Sequence, residues 1–420
     1  MKLKLFSTIF QLAFVLLLPQ FASAQPKPAT VKKPDPKIAT SENTVVTIDL
    51  NALDAKLSKL DLLIKDVEGK LAPHISVIGE ELNNAFSHLD LDGHVVIVDG
   101  SKHGQGDPVT SNYVQAAEKI KKINKSYSVD ANDKLSVNNQ YGSVTINVWD
   151  KKEIKVDVEI KAFESSESKA QELLDNVEIG ESRQGNVISF KTSFNKSNMS
   201  WWSRTKNGKE EKRGVQVNYT VYMPSKNPLD VTNRYGSTKL PEFNGPVNIN
   251  SSYGSLTAEK LSNPANRVKV SYGSATLKNF SSGMLDLSYG SLKLANADKL
   301  NANIRYSTSK IEQLTNSGKI DLAYGSCRIE KLDKNIQNLN INSSYSGLTL
   351  GIDDSANFNF DVTVSYAGFN FNDDRVNITQ KTPDENARGF NPTKHYIGTY
   401  GKGSDARVII KSNYGGVKFL

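Results

Sequence analysis

The sequence predicts a mainly β chain: a right-handed parallel β-solenoid with rungs of about 18 residues, preceded by a small helical N-terminal segment. Three observations carry this prediction. The triplet Tyr-Gly-Ser recurs at a nearly constant distance along the chain. From about Ser126 onward, apolar and polar residues alternate as they do in half-buried strands. Apolar residues also stand at constant offsets before and after each tyrosine.

The repeat is aligned on its tyrosine. The main run advances by 17 to 21 residues at a time, with an earlier copy before it and a terminal copy after it. Positions four before and five after the tyrosine are apolar in every copy. Such a period is typical of repeats that bury their apolar face only by stacking on neighbours. The repeat tyrosines are Tyr141, Tyr235, Tyr253, Tyr272, Tyr289, Tyr306, Tyr324, Tyr345, Tyr366 and Tyr414.

Glycine follows most of these tyrosines, and it is predicted to form the corner of the rung. The tyrosine shares a strand face with the apolar positions before it, so its ring is predicted to point inward. Apolar residues three and five places later require an odd step, which a glycine with positive φ would supply. Ser307, Ser346 and Ala367 replace the glycine in other copies, which favours a structural corner over a ligand-reading motif. The glycines are Gly236, Gly254, Gly273, Gly290 and Gly325.

The N-terminal residues predict export. Residues 1–24 combine a basic start, an apolar run and an Ala-Ser-Ala exit, which indicates a secretory signal peptide. Residues 25–45 are rich in Pro and Lys and are predicted to form a flexible linker. No later segment is apolar and long enough for a membrane helix, so none is expected in the mature chain.

Residues 46–125 are predicted to be helical. Over residues 50–89 apolar residues recur three and four places apart, on one helical face, and a short helix is predicted near 113–124. The 50–89 pattern fits either a coiled coil that self-associates or an amphipathic hairpin packed on its own protein. The short run before Pro73 favours the hairpin.

Two β-rich segments follow. Residues 126–230 are predicted to start the solenoid, with one helix at about 165–177 and a long loop at 195–214. Residues 231–420 carry the Tyr-Gly-Ser repeats.

The loop at 195–214 holds Trp201 and Trp202 among basic residues, where tryptophans can contact membranes or sugars. They can equally fold back over the solenoid as a hydrophobic cap.

Charge and cysteine content exclude several classes of function. The formal charge of +7 is spread along the chain without the concentrated basic stripe of a nucleic-acid-binding protein, although weak attraction to anionic polysaccharide or lipid head groups stays open. A single cysteine, Cys327, allows no intramolecular disulfide and is predicted to be a small buried residue. The five histidines lack metal-ligand spacing, so no cofactor or metal is expected.

Acidic pairs are the strongest candidates for chemistry. Asp353-Asp354 and Asp373-Asp374, with Arg375 beside them, fall at similar places in successive repeats and could share one edge. Clustered acids of this kind can bind calcium or cleave polysaccharides. Aspartate is equally a preferred turn residue, and the turn interpretation is favoured. The fragment at residues 90–93, Asp-Leu-Asp-Gly, lacks the later ligands of a calcium loop.

The order of these elements resembles a known family. Tyr141-Gly142-Ser143-Val144, NVWDKKEIKVDVEI, a helix, NVISF and VNYTVYMPSKNPLDVTNRYGSTKL lead into short iterated rungs. This plan resembles the bacterial putative adhesin family over about residues 126–420 and is similar to autotransporter adhesin head domains. The resemblance implies an exported β-solenoid with a cell-envelope role and implies no catalytic residue.

The function predicted from the sequence is a non-enzymatic, exported, adhesin-like binding or scaffold protein of the bacterial cell envelope. It is expected in the periplasm, on the cell surface or secreted, with envelope glycans or another envelope protein as partner. One alternative is a carbohydrate-active β-helix enzyme of polysaccharide lyase or glycosidase type. The other is an oligomeric envelope-stress or assembly component that self-associates through residues 50–89.

Overall fold

The computed structural model describes residues 117–195, 202–206, 209–372, 374–384 and 389–420, with the backbone alone for 202–212. The predicted signal peptide, the linker and most of the predicted helical segment lie outside these residues. Within them the chain is mainly β, as predicted, with twenty-four strands in a mixed sheet and one helix. That helix is too short and too polar to span a bilayer.

The helix α1 packs against strands in the N-terminal part of the sheet. The elements of this part are β1 (Ala117–Ser128), β2 (Lys134–Gln140), β3 (Val144–Val148), β4 (Glu153–Glu164), α1 (Glu167–Asp175), β5 (Val177–Gln184), β6 (Val187–Phe194), β7 (Trp202–Lys206) and β8 (Lys209–Met223). The helix predicted at about 165–177 is confirmed. Its N-cap is Ser166, whose hydroxyl accepts a hydrogen bond from the backbone N–H of Lys169, and it buries Ala170 and Leu174.

The short helix predicted near 113–124 is wrong, because residues 117–128 form strand β1. β4 buries alternate residues such as Val156 and Val158 and pairs antiparallel with β8 along one edge. Its other edge is paired along twelve residues by β1. The spacing of Ile123 and Tyr127 suits a helix, but hydrogen bonding to an open sheet edge decides the conformation.

The loop predicted at 195–214 is in part a β-hairpin. β7 pairs antiparallel with the start of β8, from Trp202 opposite Arg213 to Lys206 opposite Lys209. In the sequence Asn207-Gly208 stands between the two strands, the residue pair that most favours a tight hairpin connection. The sequence of the predicted loop therefore contains a hairpin signal, the pair Asn207-Gly208, within a run of mostly polar residues.

From Leu229 onward most repeats contribute one strand before the tyrosine and one after it. The strands are β9 (Leu229–Arg234), β10 (Ser237–Phe243), β11 (Val247–Ser252), β12 (Ser255–Leu261), β13 (Arg267–Ser271), β14 (Ser274–Phe280), β15 (Met284–Ser288), β16 (Ser291–Arg305), β17 (Thr308–Leu332) and β18 (Asn338–Ile352). Equivalent strands of neighbouring repeats pair in parallel, so that Val231, Ile249 and Val268 stand side by side. The apolar columns seen in the sequence are thus columns of the buried core.

The last strands depart from chain order. They are β19 (Phe358–Ser365), β20 (Phe369–Asn370), β21 (Val376–Thr382), β22 (Thr393–Tyr400), β23 (Arg407–Asn413) and β24 (Val417–Phe419). β23 lies between β18 and β19 and is parallel to both. β24 lies likewise between β18 and β20. In the sheet, β23 and β24 therefore lie between β18 and the repeat formed by β19 and β20, although they follow both in the sequence.

Antiparallel pairing occurs at both ends of the stack. β22 pairs antiparallel with β19 and β21, and β4 pairs antiparallel with β1 and β8. The first repeat also lies far from its neighbour in sequence, since Leu135 of β2 pairs with Leu229 of β9. The sheet is mixed as a result, rather than parallel throughout as predicted.

Candidate functional site

The repeat tyrosines form one continuous stack. Successive ring centroids are 4.7 to 5.2 Å apart, with interplanar angles of 18° or less. Their order follows the sheet rather than the chain, because Tyr414 stacks between Tyr345 and Tyr366. The rings pack on one another beside the main core, which corrects the prediction that they point into it. The stack ends half-exposed at Tyr414 and Tyr366.

The tyrosine, and not the glycine, has the positive φ. All ten repeat tyrosines have φ between 50° and 62°, in the left-handed region that residues with a Cβ avoid. None of the glycines predicted to form the corner has a positive φ, so that prediction is wrong. The left-handed conformation costs about 1–2 kcal/mol per residue. Ten stacked rings share nine contacts, each worth about 0.5–1.5 kcal/mol, so stacking offsets part of this cost.

The repeat glycines are required by the close approach of neighbouring backbones. A Cβ on Gly254 would lie 2.0 Å from the carbonyl oxygen of Gly236, and one on Gly273 would lie 1.9 Å from that of Gly254. Where serine replaces glycine, its hydroxyl reaches the adjacent repeat. Ser307 Oγ accepts a hydrogen bond from the Gly290 N–H at 3.0 Å.

The strained tyrosine gives a test in which glycine is better tolerated than alanine. We expect Tyr306→Ala to lower the free energy of unfolding by about 3 kcal/mol, since it removes a buried ring. Tyr306→Gly should be about 1 kcal/mol more stable than Tyr306→Ala, because glycine adopts φ near 50° without strain. Urea denaturation followed by circular dichroism measures both values. Equal stabilities, or a less stable glycine variant, would show that the tyrosine φ is unstrained.

A groove of about 490 Å³ lies at the corners that precede the strands β13 and β15 and extends over the middle of the strands β16 and β17. We call it the corner groove, and its lining includes Asn266, Arg267, Lys299 and Lys319. The three cationic side chains are exposed, and none of the described lining residues carries a carboxylate. Elsewhere cations of neighbouring repeats do pair with acids, as Lys260 does with Glu242 at 2.7 Å. Within the described residues no ion pair involves the three cations of the corner groove.

Asn266 is buried at the edge of this groove, with 1% of its surface exposed. Its Oδ1 accepts a hydrogen bond from the backbone N–H of Val247 at 3.1 Å. Its Nδ2 has no hydrogen-bond partner in the part of the chain that the structure describes. A buried donor without an acceptor costs about 1–3 kcal/mol, so this amide has an unmet hydrogen-bonding capacity at the edge of the groove.

The predicted acidic edge consists of turns. The Lys331 ammonium lies 2.8 Å from Asp353, and its hydrogen bond to that carboxylate holds the pKa of Asp353 below its usual range. Asp353 also accepts a hydrogen bond from the Ser355 N–H at 2.8 Å, as turn aspartates do. Arg375 donates to the backbone carbonyls of Asp354 and Ala356. Asp373 lies outside the described residues, and so does Trp201, while Trp202 is described only by its backbone in β7.

No metal centre is formed by the residues that the structure covers, since no three or more His, Cys, Asp or Glu side chains converge there. His395 contacts Asp361 at 2.8 Å, as a pair rather than a cluster.

Cys327 is buried, with 1% of its surface exposed, and it pairs with Leu348 of the next repeat. Burial raises the pKa of its thiol to about 11. At pH 8 only about one thiol in a thousand is then ionised, and thiolate is the reactive form. We expect 5,5′-dithiobis(2-nitrobenzoate) to leave the native protein unlabelled and to label one thiol promptly in urea. Stoichiometric reaction of the native protein within seconds would contradict this prediction.

Together the geometry defines a mainly β repeat protein with a tyrosine stack on one side and a basic groove at its corners. No family profile matches the chain. No curated protein matches it either.

Solved structures align with it only loosely. A putative adhesin from Parabacteroides distasonis shares 13% identity, with 71% of this chain and 97% of that one covered and a TM-score of 0.31. A putative cell adhesion protein from Clostridium sporogenes shares 12% identity over 73% and 99% of the two chains, with a TM-score of 0.19. A putative lipid binding protein from Parabacteroides distasonis shares 9% identity over 71% and 96%, with a TM-score of 0.26. Similarity at this level does not define a family for this chain.

Proposed function

We propose that this chain is a non-enzymatic, exported, adhesin-like binding protein of the bacterial cell envelope. In this proposal its parallel repeats form a right-handed β-solenoid with rungs of about 18 residues, and its partners are envelope glycans or another envelope protein. Export is inferred from the signal-peptide pattern of residues 1–24.

The corner groove is the observation that carries the proposal. The groove is concave, and among the described residues its cations have no ion-pair partner and its buried amide donor has no acceptor. These are groups that recognise a ligand. None of the described residues that line the groove is acidic, so this lining lacks the paired carboxylates by which most glycosidases cleave sugars. The geometry therefore supports binding better than hydrolysis.

An array of glycans and envelope polymers, probed with the mature protein from Gln25, tests the proposal. A parallel assay for new reducing ends accompanies every polymer that binds. We expect binding to at least one polymer without new reducing ends. Cleavage of a bound polymer would instead favour the carbohydrate-active enzyme, and failure to bind any polymer would overturn the binding function.

Self-association through residues 50–89 stays a prediction, since these residues lie outside the described part of the chain. Light scattering of the protein with and without residues 44–90 tests it. A mass that corresponds to one chain in both cases would exclude an association role for that segment.

A further inference from the structure

At the corner groove, one inward column of the repeats carries smaller or polar residues in place of large apolar ones. Six places before the repeat tyrosine, this column holds large apolar residues in most repeats, such as Leu229 and Val247. Asn266 and Gly283 replace them in two successive repeats, and Gly318 does so two repeats after Gly283. A side chain on Gly283 is excluded, since its Cβ would lie 2.5 Å from the Asn266 carbonyl oxygen.

The repeats at the groove are short. The two steps from Tyr272 to Tyr289 and from Tyr289 to Tyr306 are 17 residues each, the shortest in the run. The residues removed come from the corners between strands, because the strands keep their parallel register. The preceding repeat has a longer corner, and its Pro264 and Ala265 line one side of the groove.

We propose that the corner groove binds an acidic polysaccharide laid across successive repeats. Its carboxylate or sulfate groups would contact Arg267, Lys299 and Lys319, and a sugar oxygen would accept from the Asn266 amide. The proposal rests on the binding function proposed above and deepens it by naming the ligand class and the site.

The positions of the cations suit an extended ligand. Arg267, Met284, Asn301 and Lys319 occupy the same place in four successive repeats. Arg267 and Lys319 are thus three strand spacings apart, about 14 Å. Lys299 stands two residues before Asn301, in a repeat that lies between those of Arg267 and Lys319. Anionic groups at intervals along a polymer match this arrangement better than a single small anion does. The guanidinium also binds a carboxylate or sulfate through two parallel hydrogen bonds.

The remaining lining suits a sugar. Ser282, Asn301 and Ser317 offer hydroxyl and amide groups that can exchange hydrogen bonds with sugar hydroxyls. The Nδ2 of Asn266 needs an acceptor, which a hydroxyl or carboxylate oxygen supplies. Among the described residues no aromatic side chain lines the groove, and its larger apolar side chains are half-buried at Met284 and buried at Leu300. The aromatic anchors by which proteins enter a membrane interface are thus absent from this lining, which favours a polysaccharide over a lipid surface.

The test compares two triple variants of the mature protein with the same loss of charge. The groove variant is Arg267→Gln, Lys299→Gln and Lys319→Gln. The control is Lys239→Gln, Lys293→Gln and Lys418→Gln, which removes three exposed cations in the column four places after the tyrosine. Affinity for alginate, heparin, dextran, poly-glutamate and anionic phospholipid vesicles is measured by biolayer interferometry at 50 and 300 mM NaCl.

We expect the wild type to bind alginate or heparin, more weakly at 300 mM salt because exposed charges are screened. The groove variant should lose at least tenfold in affinity, and the control should stay within twofold of the wild type. Asn266→Asp retains the acceptor for the Val247 N–H but replaces the free donor by an anion, so it should also lose at least tenfold. Unchanged melting temperatures verify that each variant is folded.

Several results would overturn the proposal. Equal losses in both triple variants would indicate attraction by overall charge. Equal affinity for poly-glutamate or for vesicles would remove the assignment to a polysaccharide. Binding to neutral dextran alone would overturn this inference and leave the proposed binding function standing. Failure to bind any polymer on the wider array would overturn both.

Discussion

Gly254→Val is expected to lower the free energy of unfolding by about 3 kcal/mol or more, the upper range for overpacking. The clash is with backbone, since the added Cβ would lie 2.0 Å from the Gly236 carbonyl oxygen. Gly254 is also enclosed on the other side, where Gly273 approaches it as closely. A displacement at one repeat would therefore disturb both neighbours. Urea and thermal denaturation, followed by circular dichroism, measure the loss.

A pair of alanine variants isolates the cause. Gly254→Ala carries the same Cβ and should also be strongly destabilised. Gly347→Ala is the matched control, because its Cβ would meet no atom within 4 Å and its φ is not positive. We expect the control to lie within about 0.5 kcal/mol of the wild type. If the two alanine variants were equally stable, the close approach of backbones would not be the reason for the repeat glycines.

Removing residues 405–420 is expected to detach the C-terminal part of the sheet, although only the last strands of the sequence are deleted. β23 and β24 are interior strands with partners on both sides. They bury Val408, Ile410, Val417 and Phe419, each worth about 1.5–3 kcal/mol. The deletion should therefore cost about 6 kcal/mol or more. Hydrogen exchange of residues 358–400 should become fast, while residues 235–330 stay protected because repeats depend mainly on their neighbours.

The excised strands should also restore the structure when supplied separately. A peptide of residues 405–420 is expected to bind the truncated protein by strand addition and to slow exchange at 358–400 again. The same peptide carrying Ile410→Lys should not bind, because position 410 lies in the core. Slow exchange at 358–400 in the truncated protein without any peptide would mean that β19 pairs directly with β18, and that the insertion is dispensable.

The stacked columns of the core were accessible from the sequence. Constant offsets from the tyrosine, with a period of two residues, place Val231, Ile249 and Val268 on one buried face, and the structure pairs them. The role of Gly254 was not accessible. A periodicity identifies which position needs a glycine, but it cannot distinguish a positive φ from a neighbouring backbone 2.0 Å away.

The order of the strands in the sheet could not be predicted from the repeats either. The strand that leads to Tyr414 has the same apolar pattern as its relatives, so nothing in its sequence places it between two earlier copies. Residues 117–128 form the strand β1 because they pair with the open edge of β4. This tertiary contact could not be predicted from their own sequence.

The corner groove, by contrast, had a sequence signal. Asn266, Gly283 and Gly318 interrupt an otherwise apolar column, in the region of the two shortest repeats. That the groove's three cations form no ion pair with the rest of the described chain could be seen only in the structure.

Because β23 and β24 are inserted between earlier strands, they determine the order in which strands can pair when the chain is synthesised from its N-terminus. Repeats from Tyr235 to Tyr345 can assemble as they emerge, since each pairs with the segment just before it. Residues 358–365 cannot reach their final neighbour then, because the strand that separates them from β18 has not been synthesised. Closing that long-range contact is intrinsically slow. Completion of the fold thus waits for residues 407–420, so a chain whose synthesis or translocation has not yet reached them would hold an unfinished sheet edge.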